Sequence, residues 1–225
     1  MSAAALSIAS AFGVPGTAGA IVADNAGGLF LLSNHHVIFG GGAKPGDRVW
    51  RLPADDEPDR EAALVGWGSR GLIGRVTWEC ETFFVDCALV ELANVSTFPD
   101  WLRRAVTGRW PSQTGTPEVG TRVVKYGAST GTTEGILVDV AYPDAPFIGD
   151  RAWVAPGQLL IESADFELNF SGPGDSGALL LDHKGRMVGL LWGANTSGQG
   201  IASPILPVLS CLGVAPTEQI PWGHR

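Results

Sequence analysis

The sequence predicts an all-β protein, and three observations carry that expectation. The 225 residues include 31 glycines and 15 prolines, too many breakers for long helices and suited to short strands joined by turns. Apolar residues make up 45% of the chain and charged residues only 17%, the balance of a compact globule rather than a disordered tail. The apolar runs are short and bounded by turn residues. At this length the chain buries a substantial core, as one domain or two small ones.

Taken in order, residues 17–37 read as a hairpin: a strand to Asp24, a turn at Asn25-Ala26-Gly27-Gly28, and a second strand that ends on His35 and His36. Residues 40–59 are rich in Gly, Pro and Asp, with a short strand at 48–52. The acidic run Asp55-Asp56-Glu57-Pro58-Asp59 reads as a solvated loop tip rather than a metal site. Residues 64–67 and 72–78 are further strands, and 83–92 is a buried strand with Asp86 at its start. Residues 97–118 lose the alternation and gather prolines and arginines, as a crossing between two halves does. Residues 121–141, 158–164, 177–181 and 187–192 supply the strands of the second half. Asp182-His183-Lys184-Gly185 is a hairpin turn with His183 exposed, and 204–212 is a short closing helix.

Net charge −8 and a pI near 4.9 argue against nucleic acid or an anionic membrane as partner. No apolar run reaches the length of a membrane span. The cysteines Cys80, Cys87 and Cys211 are odd in number, without a disulfide framework or metal-ligand spacing, and no cofactor or metal is expected. Cys87 follows Asp86 on an apolar strand and reads as buried and inert. Residues 2–14 are not preceded by a basic segment, so the expected compartment is the cytoplasm; a native leader removed beforehand would make the protein a secreted one.

The most informative stretch is Ser171-Gly172-Pro173-Gly174-Asp175-Ser176-Gly177, a tight bend ahead of an apolar strand. A serine hydroxyl attacks only when a base takes its proton and positioned donors receive the anion that forms. The glycines let backbone N–H groups converge, so that Gly174 and Ser176 can supply an oxyanion hole. Gly-Asp-Ser-Gly is also ordinary turn chemistry, and on this stretch alone both readings stand. Upstream, His36 ends one apolar strand and Asp86 opens another, in the order His, Asp, Ser. A carboxylate among the apolar neighbours of Asp86 is costly unless hydrogen-bonded, a need that orienting a histidine would meet. The intervals are 50 residues from His36 to Asp86 and 90 from there to Ser176, against about 45 and about 93 in the chymotrypsin-type template.

These three segments, Leu32-Ser33-Asn34-His35-His36, Asp86-Cys87-Ala88-Leu89 and Gly174-Asp175-Ser176-Gly177-Ala178, resemble those of trypsin-like serine peptidases. The Ser-Asn-His-His form and the segment 124–135 resemble the short, disulfide-free bacterial branch, over about residues 16–212. The resemblance implies two six-stranded antiparallel β-barrels with the active site between them, an N-terminal one over 1–105 carrying His36 and Asp86, and a C-terminal one over 106–225 carrying Ser176. It implies a serine endopeptidase acting on polypeptides, with Ser176 as nucleophile, His36 as base and Asp86 orienting it. His35 is then a neighbour that strand alternation turns the other way. Phe170, six residues before the serine, falls at the base of the specificity pocket or else packs into the core, with Trp192, Gly193 and Gly200 along the pocket. An aromatic base without an acid disfavours Lys or Arg and favours a small or apolar side chain at the cleaved bond. No Ile-Val-Gly-Gly start is present, so Asp175 lacks a freed N-terminus to pair with. That leaves constitutive activity or activation by another protein. Leu191 replaces a serine that helps hold the aspartate in many relatives. An α/β-hydrolase does not fit, because the order would be Ser, Asp, His and Ala178 breaks the G-x-S-x-G elbow. The non-enzyme alternative is a protein-binding module that kept the fold with a collapsed oxyanion loop.

Overall fold

The computed structural model describes residues 7–52, 63–93, 111–148 and 151–217. The acidic run at 55–59, most of the crossing at 97–118 and the expected boundary at 105/106 lie outside the described residues. The first half contains strands β1 (Ser7–Ser10), β2 (Gly16–Thr17), β3 (Ala20–Asp24) and β4 (Leu29–Ser33), then a one-turn helix α1 (His35–Ile38). Strands β5 (Arg48–Arg51), β6 (Ala63–Trp78) and β7 (Glu81–Leu92) follow. The second half contains β8 (Arg122–Gly127), β9 (Gly131–Asp144), a small hairpin of β10 (Phe147–Ile148) and β11 (Arg151–Ala152), and β12 (Ala155–Ser163). It continues through β13 (Leu179–Asp182), β14 (Met187–Ala194), β15 (Gly200–Pro204), helix α2 (Ile205–Leu212) and β16 (Val214–Pro216).

The all-β expectation holds. The second half closes into a six-stranded antiparallel barrel in the order β12-β15-β14-β13-β8-β9. The first half is an eight-stranded sheet, β16-β3-β4-β7-β6-β5-β1-β2, so it borrows its last strand from the C-terminal segment. Helix α2 carries the chain there, burying Ile205, Val208, Leu209 and Leu212 in the core shared with the first sheet. Gly213, at φ 66, takes the left-handed conformation that ends the helix and turns the chain into β16.

Two expected strands, 64–67 and 72–78, are one 16-residue strand, continuous through a register shift between Gly68 and Arg70. Strand β7 is buried at every residue from Phe83 to Val90 because it has protein on both faces, which explains an apolar run without alternation. Asp86 consequently lies mid-strand rather than at its head. Strand β13 keeps period two: Leu179 and Leu181 enter the core shared with the first sheet, and Leu180 the interior of the closed barrel.

The halves meet beside Asp86. Phe84 stacks edge-on against Trp192 at 5.7 Å, and its carbonyl accepts hydrogen bonds from Gln158 Nε2 and Ser203 Oγ, each 3.0 Å. The Trp192 indole N–H donates to Gln158 Oε1 at 2.7 Å. A strand of one half is thus bolted to three strands of the other, two residues from the carboxylate. Among the described residues no helix is long and apolar enough to cross a membrane.

Candidate active site

His36 and Asp86 come together. His36 Nδ1 lies 2.5 Å from Asp86 Oδ2, and the His36 backbone N–H donates to Asp86 Oδ1 at 3.1 Å. The Asp86 side chain is fully buried, and these two bonds satisfy both its oxygens without the serine that Leu191 replaces. Helix α1 makes this double contact available, since its first turn leaves the His36 N–H without an intrahelical acceptor. Asn34, just before it, donates through Nδ2 to the Asp86 carbonyl at 2.6 Å and anchors the turn to β7. Burial works against the charged imidazole of His36, but the charge of Asp86 and its hydrogen bond outweigh it, and the ring protonates above the usual histidine value. His35 does the reverse: burial, joined by repulsion from His36, outweighs the attraction of Asp86 and lowers its value. His35 packs on the Phe39 ring at 5.3 Å. The two histidines are separated by helical turn geometry, not by the strand alternation expected from sequence.

The Ser176 loop is built from the second half. The Asp175 N–H donates to the Gly172 carbonyl at 3.1 Å, closing a four-residue turn with Pro173 second and Gly174, at φ 101, third. That is the residue pattern of a type II turn, which needs a positive φ at the third position. Among the described residues neither the Gly174 nor the Ser176 N–H has a hydrogen-bond acceptor. Strand β2 clips the loop from the other side: Thr17 N–H donates to the Ser176 carbonyl at 2.6 Å and Thr17 Oγ1 to the Gly174 carbonyl at 2.8 Å. A side chain at Gly177 (φ 97) would run into the Thr17 carbonyl and Ser33 Oγ, so only glycine lets these strands close on the serine. Ser176 Oγ donates to the Trp192 carbonyl at 3.2 Å.

Beneath the loop Asp175 is buried, paired with the equally buried Lys125 at 3.0 Å. Its Oδ1 accepts from Ser129 N and Thr130 N at 2.9 and 3.0 Å. Its Oδ2 accepts from Thr130 Oγ1 and Gly172 N at 2.6 and 3.0 Å. Burial raises the Asp175 value, but the Thr130 hydroxyl, the Lys125 charge and the backbone donors together bring it below the usual carboxylate range. The counter-charge of Asp175 is therefore an internal lysine. Lys125, Thr17 and Thr130 escaped sequence reasoning; the one available signal was a cation inside the apolar alternation of β8.

A cavity of about 470 Å³ opens beside Ser176, lined by Asn169, Ser171, Pro173, Leu191, Gly193 and the 194–198 loop. Of the four residues expected to meet substrate, only Gly193 lines it. Phe170 is wholly buried behind the wall, in the closed-barrel core with Leu191, and a Cβ on Gly200 would sit 2.5 Å from its ring. The Trp192 side chain is turned into the interface with Phe84. The chain alternates here, so Phe170 faces inward while Asn169 and Ser171 meet the cavity. The resulting lining is polar rather than aromatic, and its one charged residue, Asp175, is paired with Lys125. Of the other aspartates, Asp47 accepts from the backbone N–H of Lys44 and Asp139 from that of Ala141.

The sequence matches no protein-family model and none of the curated proteins. Solved structures do match. Thermobifida fusca protease A is similar at 16% identity with a TM-score of 0.59, over 93% of this chain and 94% of that one. A glutamic acid-specific serine protease is similar at 18% identity with a TM-score of 0.62, over 95% and 98%. An α-lytic protease homologue is similar at 19% with a TM-score of 0.58, over 94% and 96%. The chain has the chymotrypsin-type fold of the bacterial serine proteases.

Proposed function

We propose that the protein is a serine endopeptidase. Ser176 attacks the carbonyl carbon of a peptide bond, and His36 Nε2 takes the hydroxyl proton and returns it to the leaving amine. Asp86 fixes the imidazole tautomer through Nδ1 and stabilises the imidazolium formed during attack. The N–H groups of Gly174 and Ser176 receive the oxyanion. Water then hydrolyses the acyl-enzyme by the same proton relay.

The observation that carries this reading is the His36–Asp86 pair, a buried carboxylate bonded to both the ring and the backbone of one histidine. A purely structural histidine does not need that double contact. The Lys125–Asp175 pair supports activity without a separate protein activator, because the charge that orders the Ser176 loop is supplied from within the chain. A cavity whose one carboxylate, Asp175, is already paired with Lys125 supports an uncharged side chain at the cleaved bond.

One observation favours a second reading, a catalytically weak or inactive fold that binds protein: the Ser176 hydroxyl is engaged with the Trp192 carbonyl. Serine hydrolases exchange such a resting bond for one to the base when substrate arrives. A fluorophosphonate probe followed by intact mass and peptide mapping tests the choice. Labelling at Ser176 that is lost in Ser176→Ala is the expected result, and a folded, unlabelled wild-type protein would establish the binding module instead.

A further inference from the structure

Cys87 and Cys211 are 124 residues apart in sequence, yet their sulfurs lie 3.7 Å from one another. Cys87 is fully buried on β7, immediately after Asp86 and facing the core of the first sheet rather than His36. Cys211 is exposed in the last turn of α2. The third cysteine, Cys80, is exposed in the turn between β6 and β7. So the cysteine expected to be buried and inert has a partner, and the partner is within reach of a soluble reagent.

We propose that Cys87 and Cys211 form a reversible disulfide that ties strand β7 to the C-terminal strap of α2 and β16. The sulfurs already touch, and a further approach of about 1.7 Å brings them to bonding distance. Neighbouring contacts hold the two elements in register for that closure: Arg70 Nε of β6 donates to the Leu212 carbonyl at 3.1 Å, and Leu209 and Leu212 are buried against the first sheet. The chemistry of the pair is asymmetric. The hydrogen bond from Cys87 holds the Cys211 thiol below its usual range, while that bond and burial push the Cys87 thiol well above its own. Cys211 is accordingly the attacking thiolate and Cys87 the resolving thiol.

The oxidant is a low-molecular-weight disulfide such as oxidised glutathione. Cys211 thiolate attacks one of its sulfurs, forming a mixed disulfide and releasing one glutathione thiolate. Cys87 then gives its proton to a leaving thiolate and attacks the Cys211 sulfur, releasing the second glutathione. Two protein thiols are oxidised and one glutathione disulfide is reduced to two thiols, so the electrons balance.

The test uses the full chain carrying Cys80→Ser, so that the exposed third thiol does not form dimers. After incubation with oxidised glutathione, intact mass should fall by two hydrogens, and peptide mapping should recover the Cys87 and Cys211 peptides joined. Closing so long a loop should raise Tm on the order of 10 °C, reversibly with dithiothreitol. The double variant Cys80→Ser/Cys211→Ser, which alters only an exposed position in the pair, should fold and show neither effect. Retention of a single glutathione on Cys211 without ring closure, or of two free thiols, overturns the proposal. None of these readouts depends on peptidase activity.

Discussion

Lys125 Nζ lies 3.0 Å from Asp175 Oδ2 with both side chains buried, and the Ser176 loop is folded over that ion pair. Two desolvated charges are tolerable only when the remaining polar atoms are satisfied, as they are here by Ser129, Thr130 and Gly172. Lys125→Met leaves Asp175 buried without its counter-charge. The expected cost is about 3–5 kcal/mol in denaturant unfolding, together with loss of fluorophosphonate labelling as the turn at Gly174 relaxes. The double variant Lys125→Met/Asp175→Asn should recover part of the stability, because it removes both charges. Equal destabilisation in the single and double variants would deny the pair its role.

In the proposed mechanism the raised value of His36 sets the acid limb of activity. The ring must be neutral to accept the Ser176 proton, so kcat/KM should fall as pH drops through a value above the ordinary histidine range of about 6.5. Asp86→Asn removes the charge that raises it. That variant should titrate at lower pH and lose about 10⁴ in kcat if the magnitude of the chymotrypsin-type template carries over. An unchanged acid limb in Asp86→Asn would separate Asp86 from the base.

The proposed mechanism gives the two histidines different work. His36→Ala should remove turnover by orders of magnitude, since base and nucleophile act as a unit. His35→Ala loses only the contact with Phe39 and should keep most of the activity. The converse pair of rates, measured on one peptide substrate, would transfer the role to His35.

Phe170 belongs to the core and not to the cavity. Phe170→Ala should therefore cost about 3–5 kcal/mol of stability and leave the preference at the cleaved bond unchanged. Competing Ala, Val, Gln and Arg peptides against wild type and variant measures this. A variant that stays stable but newly accepts large side chains would put the ring back at the pocket floor.

His36, Asp86 and the Ser176 turn were legible because each is a polar group at an unusual place in an apolar strand or a glycine-rich bend. Lys125 was not, because a lysine in an alternating strand ordinarily extends to solvent, and only the approach of Asp175 from another part of the chain keeps it inside. The side taken by Phe170 stayed open for a related reason: in Asn169-Phe170-Ser171 alternation says that one residue faces inward, and only the packing of Gly200 and Leu191 selects which. Strand β16 left no trace in the sequence pattern, since three residues ending in proline carry no period. The tight turn at His35–Ile38 was read as strand because the apolar run leading into it does not announce its own end.

The borrowed strand has a consequence for how the chain fares when it is cut or released incomplete. Val214–Pro216 covers β3, which would otherwise be the outermost strand on that side of the sheet. Without it β3 presents a row of unpaired N–H and C=O groups over Val22–Asp24, a template for any extended segment nearby. Pro216 closes the new rim in turn, because proline has no N–H to offer a further strand. Among the described residues these last paired ones therefore act as a guard against self-association, and a protein ending at Leu212 would be prone to stick to its own copies before it lost its fold.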